Sequence, residues 1–346
     1  MEEFIRRIPK AEVHIHLEGT ISPETLLRIA AKNNVDVGMT LEELCSRRAN
    51  YSCLEEFVHD FHICCHAIKD ADDFYVVLLE YLKKAHEDGI TYCEISVTSL
   101  ATPTIPFGVQ MTGLKRAAEE AHNLYGIKCG FLLIFVRNLS VEQNLKMIEE
   151  AAPFKDSIVG SGLGGAEVGY PASGLIEVFE EAKRQGLCGP DGGNISIHAG
   201  EEGDPAAIID TLYAVRPRRI DHGVRSLESP DLIKFLSTHQ IPLAISPLSN
   251  QALKVLDSFF NGRHVVRDLL DNNLAVCINS DDPAFFGGGV VDNFLAISNT
   301  LSEQGDEDTK QKIVELCKNS FNAAFLPKQE REQLCRTVDE FLESNE

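Results

Sequence analysis

The chain has 346 residues, 44% hydrophobic and 25% charged, enough for one large α/β domain or two smaller ones, and globular is the default class. Its 32 Lys and Arg stand against 53 Asp and Glu, a net charge of −21, which repels nucleic acid and anionic membranes and favours a small-molecule partner. No stretch approaches the roughly 18 uninterrupted apolar residues of a membrane-spanning helix, and the ten cysteines follow a charged Met1–Lys10 rather than a secretory leader, so they read as reduced thiols of a cytoplasmic protein.

Short β-branched and aliphatic runs recur along the chain, each followed by a longer stretch of helical periodicity. In order they are Glu12–Glu18, Thr91–Thr98, Lys128–Arg137, Ile158–Glu167, Asn194–Glu201, Arg219–Gly223, Pro242–Ser249 and Leu274–Asp282. Strands alternating with helices imply parallel pairing with right-handed crossovers, and eight such units close most economically into a (β/α)₈ TIM barrel. The chain then reads as a single domain over 1–346. About 70 residues separate the first two strands, too many for one crossover helix, so a helical insertion over about 22–88 is expected as a wall or lid.

Ionisable residues gather at the carboxyl ends of these strands: His14 and His16 at the first, His198 and Glu201 at the fifth, His222 at the sixth, Asp281 and Asp282 at the eighth. In a barrel those ends converge on one face, where catalytic groups sit. His14-Ile15-His16 alone is weak, since H-x-H is common by chance, but on a strand both rings point one way. With His198 and Asp281 the set offers three imidazoles and one carboxylate, which suits a single zinc ion with water completing its shell; iron, cobalt or manganese fit the same donors. Such an ion lowers the pKa of water to about 7. Glu201, three residues beyond His198, can deliver a proton to a bound ring, so that the attacked carbon becomes tetrahedral without full negative charge.

Ile8-Pro9-Lys10-Ala11-Glu12-Val13-His14-Ile15-His16-Leu17-Glu18-Gly19, His198-Ala199-Gly200-Glu201 and Ser280-Asp281-Asp282-Pro283, in this order, resemble the adenosine and adenine deaminase family over essentially the whole chain. The resemblance implies zinc held by His14, His16, His198 and Asp281, Glu201 as proton donor, and His222 assisting the attacking water. It also implies Asp282 at the purine N7 and backbone of Gly165 toward N3. Adenosine deaminases of this family carry Asp where Glu18 stands and bind a ribose hydroxyl with it. The longer side chain leaves less room for ribose and favours the adenine branch, converting adenine to hypoxanthine and ammonia. Adenosine, an N6-substituted adenine or another aminated heterocycle are the alternative substrates, and a silent purine-binding relative is the non-enzyme alternative. Two departures from the adenine branch stand out: Glu94–Leu100 at the end of strand two, expected to face the pocket, and Ser246, where Cys is usual.

Other patterns read as structure. His59, His62 and His66 beside Cys64 and Cys65 follow helical spacing, and Cys93 and Cys277 lie in apolar strand runs. Phe57, Phe61 and Phe74 fit a packed stripe of the insertion. Gly287-Gly288-Gly289 lacks the lysine and helix-opening context of a phosphate loop and reads as a tight turn. The charged segment from Glu303 onward reads as solvated helix. A two-metal hydrolase bridged by lysine is disfavoured, because no strand-end lysine is placed for it.

Overall fold

The computed structural model describes residues 1–49, 51 and 54–344. Eight strands, β1 (Lys10–His16), β2 (Ile90–Val97), β3 (Lys128–Val136), β4 (Ile158–Gly164), β5 (Ile195–Ala199), β6 (Arg219–His222), β7 (Leu243–Ile245) and β8 (Val276–Ile278), pair in parallel in sequence order. A parallel bridge between Ile15 and Asp281 joins the last strand to the first, so the sheet is a (β/α)₈ barrel. Every expected strand is present. Two of them stop short where the chain turns left-handed, at Gly165 (φ 88°) and Gly200 (φ 76°), and the eighth ends at Ile278, three residues before the left-handed Asp281 (φ 65°). The seventh stops because Pro247 opens the helix Pro247–Ala252, a first-turn position where its missing N–H costs nothing.

Helix starts are written locally. Ser22 accepts from Thr25 N with Pro23 at the first helical position, Asp70 and Asp73 form a capping box, and Asp204 and Ser229 cap helices that open with Pro205 and Pro230. Each such cap contributes about 1 kcal/mol.

Among the described residues, four α-helices lie between β1 and β2, Pro23–Lys32, Leu41–Arg48, Leu54–Ala67 and Ala71–Glu87. The third brings Phe57 to 5.4 and 4.8 Å, ring to ring, from Phe285 and Phe286 in the loop after β8. Arg48 lies 4.0 Å over the Phe285 ring and donates to the carbonyl oxygens of Ile21 and Ala284. The insertion therefore packs on the loop that follows Asp281 and Asp282. His59, His62 and His66 lie exposed on its outer face while Cys64 and Cys65 are buried, as helical spacing predicts.

Two expectations need correction. The segment after Glu303 is not uniformly solvated: the helix Thr309–Ala323 buries Ile313, Leu316, Cys317 and Phe321 and packs on β1 and β8, and only Lys328–Glu343 is largely exposed. The glycine run does open a helix, Val290–Glu303, but Gly289 N donates to Asp292 Oδ2 at 2.8 Å, so the helix supplies its own carboxylate there. Among the described residues no helix is long and apolar enough to cross a membrane, and the nine described cysteines form no disulfide.

Candidate active site

The seam between β1 and β8 sets the first side chains. Beyond Ile278 the ladder gives way to side chains: Asn279 Oδ1 accepts from Val13 N and His14 N at 2.8 and 3.1 Å, and Glu12 Oε1 accepts from Ser280 N at 2.9 Å. Asp281 N then donates to His14 O at 3.2 Å and Asp281 O accepts from His16 N at 3.0 Å. These bonds fix His14, His16 and Asp281 against one another before any side-chain contact is made.

His14 Nε2 and His16 Nε2 lie 3.1 and 3.2 Å from His198 Nε2, and each lies 3.3 Å from Asp281 Oδ1. A tetrahedral ion with metal–nitrogen bonds of about 2.0–2.1 Å needs donor separations of about 3.3 Å, so these four spacings are close to tetrahedral edges. The donor chemistry agrees. His14 Nδ1 lies 3.4 Å from Ala244 O, an acceptor, and a hydrogen on Nδ1 leaves the Nε2 lone pair available to a cation.

His222 is also near. His14, His198, His222 and Asp281 form one group with mutually close donor atoms, and His16, Asp281 and Asp282 another. The direct distances separate the roles, because His222 Nε2 is 4.0 Å from Asp281 Oδ2 but 3.4 Å from Glu201 Oε2. By these distances His222 lies nearer Glu201 than Asp281, while His16 lies within 3.3 Å of both His198 and Asp281. Both His222 (φ 64°) and Asp281 (φ 65°) hold left-handed backbone, unusual for residues with a Cβ. At these places two consecutive side chains, Asp221 with His222 and Asp281 with Asp282, reach the site instead of alternating across the sheet.

Burial and then the carboxylates of Asp281, Glu167 and Glu202 hold the Glu201 carboxyl well above the ordinary range. Burial and the adjacent Asp281 do the same for Asp282, and burial raises Glu18 to about 7. Burial and the neighbouring His14 push His222 down to about 3. Burial and neighbouring charges thus favour the protonated carboxyls of Glu201 and Asp282 and the neutral imidazole of His222.

Asp282 sits beside Gly19, where an added Cβ would lie 2.0 Å from Asp282 Oδ1 and 2.7 Å from its Cα. Gly19→Ala is expected to displace Asp282, lowering Tm through an overpacking cost of about 1–3 kcal/mol and raising KM more than it lowers kcat. Thermal unfolding and steady-state kinetics on one preparation check both. Glu18 is buried directly after β1. Gly165 is exposed at the end of β4 with φ 88°, a conformation open to glycine at no steric cost.

Several residues of the site were not singled out from sequence. Glu167, the last residue of Gly164-Gly165-Ala166-Glu167, accepts from the backbone N–H groups of Gly200, Glu201 and Gly203 at 2.8, 3.0 and 3.1 Å, which fastens the turn carrying Glu201. Fully buried Asn250 donates to Glu201 Oε1 at 3.0 Å and lies 3.1 Å from His222 Nδ1. Ser249 Oγ donates to Asp281 Oδ2 at 2.7 Å. Ser246 is buried at the end of β7 with its hydroxyl unpartnered among the described residues. Glu94 does not face the pocket as expected: it is buried toward the amino ends of the strands, bonded to Arg219 and Tyr92.

The model of the family described as Adenosine deaminase matches residues 9–341. The sequence is 36% identical over 342 residues to an adenine deaminase of Psychrobacter cryohalolentis, covering 98% of this chain and 99% of that protein. It is 35% identical over 340 residues to an adenine deaminase of Acinetobacter baylyi, covering 98% of each. Among solved structures, the adenine deaminase of Arthrobacter aurescens superposes with a TM-score of 0.89 at 29% identity, over 97% of this chain and 99% of that one. The strand-end histidines and aspartates lie within a match that spans nearly the whole barrel, and the chain belongs to the adenosine deaminase family.

Proposed function

We propose that the protein is a zinc-dependent adenine aminohydrolase, converting adenine and water to hypoxanthine and ammonia. The observation that carries the chemistry is the convergence of His14, His16, His198 and Asp281 at tetrahedral spacing, with a buried carboxylic acid, Glu201, beside it. The near full-length likeness to adenine deaminases supports the substrate.

In this reading His14, His16, His198 and Asp281 hold the metal, which when bound makes water a ready nucleophile at neutral pH. Glu201 carries the proton that a ring nitrogen needs as the adjacent amino-bearing carbon becomes tetrahedral. Burial and the neighbouring carboxylates raise its affinity for a proton, and Asn250, which donates to Oε1 and by itself favours the ionised form, fixes the orientation of the carboxyl. His222, neutral and 3.4 Å from Glu201, orients the attacking water. Asp282, in protonated form, donates to N7, which carries a lone pair in the substrate tautomer. The backbone of Gly165 serves N3.

Glu18 closes the end of the pocket where a sugar would lie. It is buried, burial raises its carboxyl to about 7, and its side chain is one methylene longer than the Asp of adenosine deaminases, so it takes up room that a ribose would need. Glu18→Asp is expected to raise the adenosine-to-adenine ratio of kcat/KM by about tenfold, the effect of one methylene where fit decides binding. The ratio measured on wild type and variant with both substrates checks it; an unchanged ratio removes Glu18 as the size filter.

A further inference from the structure

His198 differs from its neighbours in how its second nitrogen is served. Nδ1 is buried and makes no hydrogen bond of ordinary length among the described residues. Asp221 Oδ2 is 3.5 Å away, and the two residues are register partners across β5 and β6, pointing to the same side of the barrel wall. Asp221 is itself held: Ser196 Oγ donates to its Oδ1 at 2.6 Å, and Arg219 Nε stands 3.5 Å from the same oxygen.

Arg219 is fully buried and spends its donors on four different segments. It donates to Ser196 Oγ at 3.0 Å, Glu94 Oε2 at 2.8 Å, Ala323 O at 3.0 Å and Val13 O at 2.8 Å. A buried guanidinium needs this degree of satisfaction to be tolerated. The result is a continuous polar column, Glu94–Arg219–Ser196–Asp221–His198, from β2 through β6 to β5. A column that only secured the barrel would have no reason to end on an imidazole whose other nitrogen meets His14 and His16.

We propose that Asp221 is a positioning residue for the metal site: its carboxylate accepts the His198 Nδ1 hydrogen and so turns the Nε2 lone pair toward the donor cluster. The inference rests on His198 being a ligand. A shift of about half an ångström makes the 3.5 Å approach a full hydrogen bond. Arg219 and Ser196 hold the carboxylate in place, which gives Glu94 a function distant from the substrate. Outer partners of this kind typically govern metal affinity by about 10–100-fold.

The test is the dissociation constant for Zn2+, measured by competition with a chromophoric chelator, for wild type, Asp221→Asn, Ser196→Ala and His198→Ala, each checked by circular dichroism. Asp221→Asn is expected to weaken binding by about 10–100-fold, Ser196→Ala by a smaller factor, and His198→Ala by more than either. The cobalt-substituted Asp221→Asn protein is expected to show a shifted visible spectrum, which a purely structural role would not produce. Wild-type affinity in a folded Asp221→Asn overturns the proposal. If that variant does not fold, wild-type affinity in Ser196→Ala overturns it. Wild-type affinity in His198→Ala instead overturns the ligand assignment beneath it.

Discussion

Glu201→Gln is expected to fold, to bind its metal with unchanged stoichiometry, and to lose kcat by about 10²–10⁴-fold, the range for a positioned general acid. The substitution keeps the shape of the side chain and an oxygen for Asn250, which donates to Glu201 Oε1 at 3.0 Å. It removes only the proton that burial and the surrounding carboxylates hold on this group. Glu201 lies against His222 rather than in the His14–His16–His198–Asp281 donor set, so metal content should not change. Metal analysis and kinetics on one preparation decide it. An apo variant would make Glu201 a ligand, and near-wild-type turnover would require another proton source.

The second large effect separates two histidines that sequence position alone treats alike. His16→Ala is expected to lose bound metal and, with it, nearly all activity, because its Nε2 is 3.2 Å from His198 Nε2 and 3.3 Å from Asp281 Oδ1. His222→Ala is expected to keep the metal yet lose kcat by about 10²-fold or more, the contribution of a group that orients or deprotonates a nucleophile. The reverse pattern, metal lost from His222→Ala and retained in His16→Ala, would place His222 in the ligand set. Metal-to-protein ratios after dialysis distinguish the two, whatever the substrate.

The barrel is legible because its strands are buried on both faces and read as short apolar runs, and the site because ionisable residues break that pattern at the carboxyl ends of four of them, β1, β5, β6 and β8. His14, His16, His198, Glu201, His222, Asp281 and Asp282 were found on that ground, and the structure brings them to one centre. What supports them was not legible. Glu167 lies within a motif already noted for its glycine, but nothing in a single sequence shows that a carboxylate will collect three backbone N–H groups from a turn more than thirty residues away. Asn250 and Ser249 follow a strand like many loop residues do, and only their proximity to Glu201, His222 and Asp281 gives them meaning. The left-handed backbone at His222 and Asp281 was equally hidden, since the usual sign of such a turn is glycine.

Glu94 shows the opposite failure. Its place near a strand end suggested a pocket residue, yet its partner is Arg219, on a strand distant in sequence, and the pair lies buried toward the other end of the barrel. The segment after Glu303 was misread for a related reason. Charge on one face of the helix Thr309–Ala323 masked the apolar face that lies on β1 and β8, and an amphipathic helix is judged by the stripe it buries rather than by its mean polarity.

The most direct measurement is the stoichiometry of products when purified protein, loaded with one equivalent of Zn2+, is given adenine. Equimolar hypoxanthine and ammonia, formed catalytically, faster than inosine from adenosine and abolished in Glu201→Gln, is the predicted result. Metal-loaded, folded protein that releases no ammonia from adenine would contradict the account.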